Sequence, residues 1–237
     1  MASLIALTVV CVITYTFEII FGLAGTIMML AILSLVYDSK TLVIYSLLPQ
    51  ILVGTIGLLR SPKTVELGYL ARMLAFACLG GIAGLWLFYY FASDTFQSLL
   101  AATVTVFGAY LVLAPGKLKL NKPVAHGLDT LAGASQALFG ISGPIAMTRL
   151  LSTFGQKTVV RNYALAFFLS MNMFRAGGYL LKGTITAEIG HMMLVSGPFI
   201  ALALWFSNHL HFRVNETLFR RVVAWMILLG GLTLFYH

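Results

Sequence analysis

The stretch Phe21-Gly22-Leu23-Ala24-Gly25-Thr26-Ile27 interrupts an apolar run with small residues, and it recurs 118 positions later as Phe139-Gly140-Ile141-Ser142-Gly143-Pro144-Ile145. Both copies fall in the middle of hydrophobic sequence. A soluble protein rarely places a turn there, and in a membrane the freed backbone groups need partners. Whether each break kinks a single span or reverses the chain decides the fold.

Composition sets the surroundings. Of 237 residues 60% are hydrophobic and 9% charged, with a mean hydropathy of +0.96. Soluble domains carry roughly a quarter charged residues, so this chain reads as a polytopic α-helical membrane protein. The alternating pattern of a membrane barrel is missing. The net charge of +8 comes without a basic helix or interleaved basic and aromatic residues, so it reads as a topology signal and not as a nucleic-acid footprint. Cys11 and Cys78 lie in apolar segments and read as packing residues. The first segment lacks a basic leader region and a cleavage site, which predicts a retained helix.

Apolar segments are predicted from about Ala2 to Phe21, from the first break to about Tyr37, and over Thr41–Leu59, Gly68–Ala92 and Thr95–Ala114. The polar stretch 115–123, Pro115-Gly116-Lys117-Leu118-Lys119-Leu120-Asn121-Lys122-Pro123, reads as a cytoplasmic linker between halves. The plan then repeats over Val124–Phe139, Pro144–Phe154, Lys157–Leu181, Ala187–Ser207 and Asn215–Tyr236. At the same offset Tyr45 matches Tyr163 and Glu18 matches Gln136; with small shifts Gly80 matches Gly197 and Gly108 matches Gly230. A duplication of five segments, 1–114 and 124–237, accounts for this.

Charge counting chooses between kink and reversal. With reversal, Arg60, Lys63, Arg72, Lys117, Lys119, Lys122, Lys157, Arg161, Arg213, Arg220 and Arg221 share one side, and Lys40 and Lys182 flank the other. With kinks, Lys157, Arg161, Arg213, Arg220 and Arg221 move opposite Arg60 and the Lys117 loop. Basic residues gather on the cytoplasmic side, so reversal is favoured and both termini are predicted to be extracytoplasmic. A five-segment unit is odd in number, so its second copy enters the membrane upside down. The predicted fold is all-α: a polytopic membrane protein of two inverted repeats of about five helical segments each, with short broken helices meeting near the midplane.

A helix begins after each break, and its first turn carries unpaired N–H groups and a partial positive charge. Pro144 suits that first turn and Ser142 is an N-cap candidate. Gly22, Gly25, Thr26, Gly140, Ser142 and Gly143 are therefore candidate backbone and hydroxyl donors to an anion; tight helix packing uses the same small residues. Arg175 lies one turn after Asn172 on one helical face, and with Gln50 these are candidate side-chain donors to an oxyanion. Two other roles for Arg175 stay open, an ion pair with Glu18 and snorkelling toward the Lys182 side. Glu18 has a neutral symmetry mate and is either a proton-coupling residue or a fixed counter-ion, since a carboxyl withdrawn from water can carry a proton. Asp129 and Arg149, as gate or packing residues, and His191 complete the ionisable set read at membrane depth. Tyr45, Ser46 and Tyr163 lie beside the breaks as possible path-lining residues. No metal-ligand spacing, nucleophile elbow or phosphate loop is present, and His209 and His211 form an isolated loop pair. Neither cofactor nor enzymatic activity is expected.

The chain resembles the TauE/SafE family of sulfite and organosulfur anion transporters. Phe21-Gly22-Leu23-Ala24-Gly25 and Phe139-Gly140-Ile141-Ser142-Gly143-Pro144 are similar to that family's duplicated F-G-x-G-G-G loops after the first helix of each half. The likeness runs through Arg161-Asn162-Tyr163, Asn172 and the Lys182-Gly183-Thr184-Ile185 turn, and so covers the whole chain. Ala24 and Ser142 stand where the family often has glycine, and Tyr45-Ser46 and Tyr163-Ala164 where it often has smaller residues. The resemblance implies a bacterial or archaeal inner-membrane carrier for a small sulfur-containing or carboxylate anion, usually moved outward. The expectation is thus a secondary transporter whose partners are that anion, lipid, a proton as candidate coupling ion and a second copy as candidate dimer mate, with no nucleic acid. A membrane assembly or accessory protein is the rival reading, and an intramembrane enzyme lacks a catalytic set.

Overall fold

The computed structural model describes residues 2–21, 24–59, 64–113 and 120–207 and the isolated positions 225, 228, 229 and 232. Gly22, most of the linker, the tenth segment apart from those positions, the pair His209 and His211, and Arg60, Lys63, Lys117, Lys119, Arg213, Arg220 and Arg221 lie outside the described residues. Within them the fold is all-helical: α1 (Ala2–Phe21), α2 (Gly25–Leu33), α3 (Ser39–Tyr45), α4 (Leu47–Leu59), α5 (Leu67–Tyr90), α6 (Ser93–Leu113), α7 (Lys122–Phe139), α8 (Gly143–Leu151), α9 (Lys157–Leu181) and α10 (Ala187–Ser207).

The helices follow from chemistry that lipid enforces, because an apolar solvent leaves each segment to satisfy its own backbone. Among the described residues five stretches are long and apolar enough to cross a membrane: Ser3–Ile20, Ser39–Leu59, Leu67–Tyr90, Thr158–Leu181 and Ala187–Ser207. Starts are marked by side chains. Asp38 accepts from the Thr41 N–H at 3.0 Å to open α3, and Asn121 accepts from the Val124 N–H at 3.1 Å to open α7. The predicted third segment divides into α3 and α4 because Pro49 offers no N–H to the Tyr45 carbonyl and its ring crowds that carbonyl. α2 and α8 have nine residues each, or about 14 Å of helix against the ~30 Å of a bilayer core.

The chain forms two compact units. One comprises Met1–Pro49, Phe91–Ala114 and Ile185–His237, and the other Gln50–Tyr90 and Pro115–Thr184. Each therefore draws on both halves of the sequence. In the first unit α1 packs along α10, which is the fourth segment of the second half. In the second unit α7, which opens the second half, packs along α5, the fourth segment of the first.

The α5–α7 contact is backbone against backbone. A Cβ on Gly80 would lie 1.9 Å from the Thr130 carbonyl oxygen, one on Gly84 2.3 Å from that of Ala134, and one on Gly133 1.9 Å from that of Ala77. Lipid gives no hydrophobic drive for helices to associate, so close approach over small residues supplies the dispersion contact instead. Outward positions are apolar: Ile5, Val9 and Ile13 on α1, Leu79, Ile82 and Trp86 on α5, and Leu194 and Leu202 on α10 are all exposed.

Candidate functional site

Each break is a helical hairpin held by a polar residue two-thirds or more of the way along its first helix. In the first unit that residue is Glu18, buried at 7% exposure. Its Oε2 accepts from the Thr26 N–H at 2.9 Å and lies 3.3 Å from the Thr26 hydroxyl, which is also 3.3 Å from the Tyr15 hydroxyl. The Tyr15 hydroxyl in turn donates to Met29 Sδ at 3.6 Å. A carboxylate at the start of α2 answers the unpaired N–H groups and the positive end of the helix. Gly25 allows this approach, since a Cβ there would sit 2.6 Å from both Glu18 Oε2 and the Thr14 carbonyl oxygen. Ala24 precedes it with φ 85°, a left-handed backbone that an L side chain adopts at a cost of about 1–2 kcal/mol.

In the second unit the matching residue is Gln136. α7 ends on Gly140, whose φ of 71° turns the chain while its N–H bonds the Gln136 carbonyl at 2.9 Å. The Ser135 hydroxyl donates to the Ile141 carbonyl and secures the turn. Ser142 stands at the N-cap position of α8 but makes no side-chain cap. Its hydroxyl donates instead to Gln136 Oε1 at 2.6 Å, and Gly143 and Pro144 form the first turn of the helix.

Around Gln136 the predicted donors come together. Gln136 Nε2 donates to Gln50 Oε1 at 2.7 Å and to Asn172 Oδ1 at 3.2 Å. Asn172 Nδ2 donates to the same Gln50 oxygen at 2.9 Å, and Gln50 Nε2 donates to the Gly140 carbonyl at 3.1 Å. Arg175 Nη1 donates to Asn172 Oδ1 at 2.7 Å and Nη2 to the Tyr179 hydroxyl at 3.3 Å, with the guanidinium 5.5 Å from the Tyr179 ring centroid. Asn172 and Arg175 are fully buried, so Arg175 does not snorkel to a surface. The result is a buried cluster of amides, a hydroxyl and a guanidinium at the helix break. Gln50, Gly140, Ser142, Gly143, Asn172 and Arg175 are thus gathered in the second unit, while Glu18, Gly25 and Thr26 are gathered in the first.

Sequence reasoning left out Gln136, the hub of the cluster, and Tyr179. The available signal was Gln136 standing at the place of Glu18 in the duplication. The remaining residues singled out in the sequence lie as follows. The Tyr45 hydroxyl shares a 2.6 Å hydrogen bond with Ser196 and Ser46 donates to the Val43 carbonyl at 2.7 Å, both buried inside the first unit. Tyr163 accepts from the Glu66 N–H at 2.8 Å and stacks on Phe154 at 4.6 Å. His191 is exposed on α10. Asp129, fully buried, pairs with Arg149 Nε at 3.2 Å.

No curated protein and no solved structure matches the chain. The family described as sulfite exporter TauE/SafE matches residues 7–234, nearly the full length, including both hairpins and the donor cluster. The chain belongs to the TauE/SafE sulfite exporter family.

Proposed function

We propose that the protein is a secondary carrier that moves a small anion, sulfite or a related organosulfonate or carboxylate, outward across the inner membrane by alternating access. One observation carries the reading: the convergence of Gln50, Gln136, Asn172 and Arg175 with Ser142 at a helix break within an apolar chain. Polar groups at membrane depth are costly and usually serve a solute or a partner. Amide, hydroxyl and guanidinium hydrogens are donors suited to an oxyanion, and the guanidinium adds charge in a forked geometry. Rotation of the amides away from one another would present those donors to the solute. At the first break the Thr26 donors are engaged by Glu18, so the second unit bears the anion and Glu18 remains the proton-coupling candidate.

Two further features support an inverted repeat. Phe21, Gly22, Gly25 and Ile27 recur at the 118-position offset as Phe139, Gly140, Gly143 and Ile145, and the first helix of each half packs on the fourth segment of the other. In this reading the basic loops face the cytoplasm and both termini lie outside.

The test is thermal unfolding of the purified protein with sulfite, sulfate, thiosulfate, small sulfonates and small carboxylates. A ligand at a hundred times its dissociation constant adds about 2.7 kcal/mol. The expected result is a gain with at least one of these anions that Asn172→Ala abolishes in a folded protein. A protein unmoved by all of them is no carrier of this class.

A further inference from the structure

The second hairpin holds a buried ion pair that the anion cluster does not use. Asp129 lies on α7 two turns before Gln136, and Arg149 lies in the last turn of α8, seven residues after Ser142. Asp129 Oδ1 is 3.2 Å from Arg149 Nε, and His126 Nδ1 is 3.7 Å from Asp129 Oδ2. Arg149 also donates to Thr153 Oγ1 at 2.5 Å and sits 5.5 Å from the Tyr69 ring centroid, while Tyr69 meets Phe154 and Tyr163 edge-on at 5.1 and 5.3 Å. The pairs 136–142 and 129–149 are both centred on Phe139, so they are two rungs of one antiparallel hairpin. One rung closes each end of α8. At the matching places of the first hairpin stand Cys11 and Ala31, which cannot form such a pair.

We propose that Asp129 and Arg149 are positioning residues of the anion site: by clasping the far end of α8 to α7 they keep Ser142 seated on Gln136. This rests on the anion-binding reading of the cluster. A nine-residue helix is too short to hold itself, and its N-terminal rung is the one whose hydroxyl must turn to a solute. The outer rung then holds the register while the inner one exchanges partners. Removing one member leaves a buried charge without its counter-charge, which is strongly destabilising to that arrangement. If α8 must be seated for binding, the apparent affinity falls in proportion to the seated fraction.

The experiment combines hydrogen exchange of the α8 amides with sulfite binding in the full-length protein. Asp129→Asn and Arg149→Gln are expected to speed exchange across 145–151 and to weaken sulfite at least about tenfold, with exchange in α1 and α10 unchanged. The exchanged pair, Asp129→Arg with Arg149→Asp, is expected to recover part of both losses. Arg149→Lys, which keeps the charge but not the fork, is expected to fall between. Single variants with wild-type α8 exchange and wild-type affinity would overturn the proposal, as would faster exchange with unaltered affinity. A wild-type protein that binds no sulfite counts against the anion reading, and the exchange measurements then still decide whether the pair clasps α8.

Discussion

Two alanine substitutions six positions apart on one helix separate backbone packing from helix propensity. Both Gly127 and Gly133 lie in α7. A Cβ on Gly127 meets nothing within 4 Å, whereas one on Gly133 would lie 1.9, 2.5 and 2.6 Å from the carbonyl oxygen, carbonyl carbon and Cα of Ala77 on α5. Ordinary contact needs about 3.4 Å, so the helices must part by about 1.5 Å there, and a backbone carbonyl cannot swing aside. Overpacking of this kind costs about 1–3 kcal/mol, with the rigid obstacle placing it near the top of that range. The gain of helix propensity from glycine to alanine returns about 1 kcal/mol. Gly133→Ala is therefore expected to lose about 2 kcal/mol, or about 4–8 °C in melting temperature for a chain of this size. Gly127→Ala should gain up to about 1 kcal/mol. The parted helices also carry Gln136, three residues on, away from Gln50 and Asn172, so Gly133→Ala should weaken anion binding while Gly127→Ala leaves it intact. Thermal unfolding in detergent, with and without sulfite, reads both effects. Equal melting temperatures for the two variants would refute the packing account.

Ala24→Gly relieves the left-handed backbone at the start of α2 and is expected to stabilise the protein by about 1 kcal/mol; an unchanged melting temperature would mean the strain is not there. Gln136→Leu strands the Ser142 hydroxyl, at about 1–3 kcal/mol, and leaves Gln50 Oε1 with Asn172 alone and Asn172 Oδ1 with Arg175 alone. Calorimetric titration should find sulfite binding lost in this variant; retained binding would exclude Gln136 from the site. Glu18→Gln keeps an acceptor for the Thr26 N–H but cannot carry the charge, so anion binding should survive while flux driven by a pH gradient in liposomes fails. Flux at the wild-type rate would remove Glu18 from proton coupling.

Much of the fold was legible because its punctuation is local. α1, α9 and α10 begin and end where the apolar runs do, and the short helices follow from the paired glycine breaks. The division at Tyr45 also had a local cause, Pro49, hidden by the apolar run around it. The site was less legible. Asn172 and Arg175 share a helical face and could be grouped by spacing, but Gln136 acts through Gln50, 86 positions away, and Asn172, 36 positions away. An amide has no preference for a partner that spacing could reveal. Asp129 and Arg149 stand out as charges in apolar sequence, yet their twenty-residue separation acquires meaning only once the chain turns back at Gly140.

The exchange of partners between halves also orders synthesis. α5 emerges with Gly80 and Gly84 bare and waits for α7, so the second unit has all its described helices once Leu181 has been made. α1, made before α5, has no α10 until Ser207 is translated. The unit begun first is finished last. Between Leu181 and Ser207 the second unit has all its described helices in the chain, while α1 still lacks the helix it packs along.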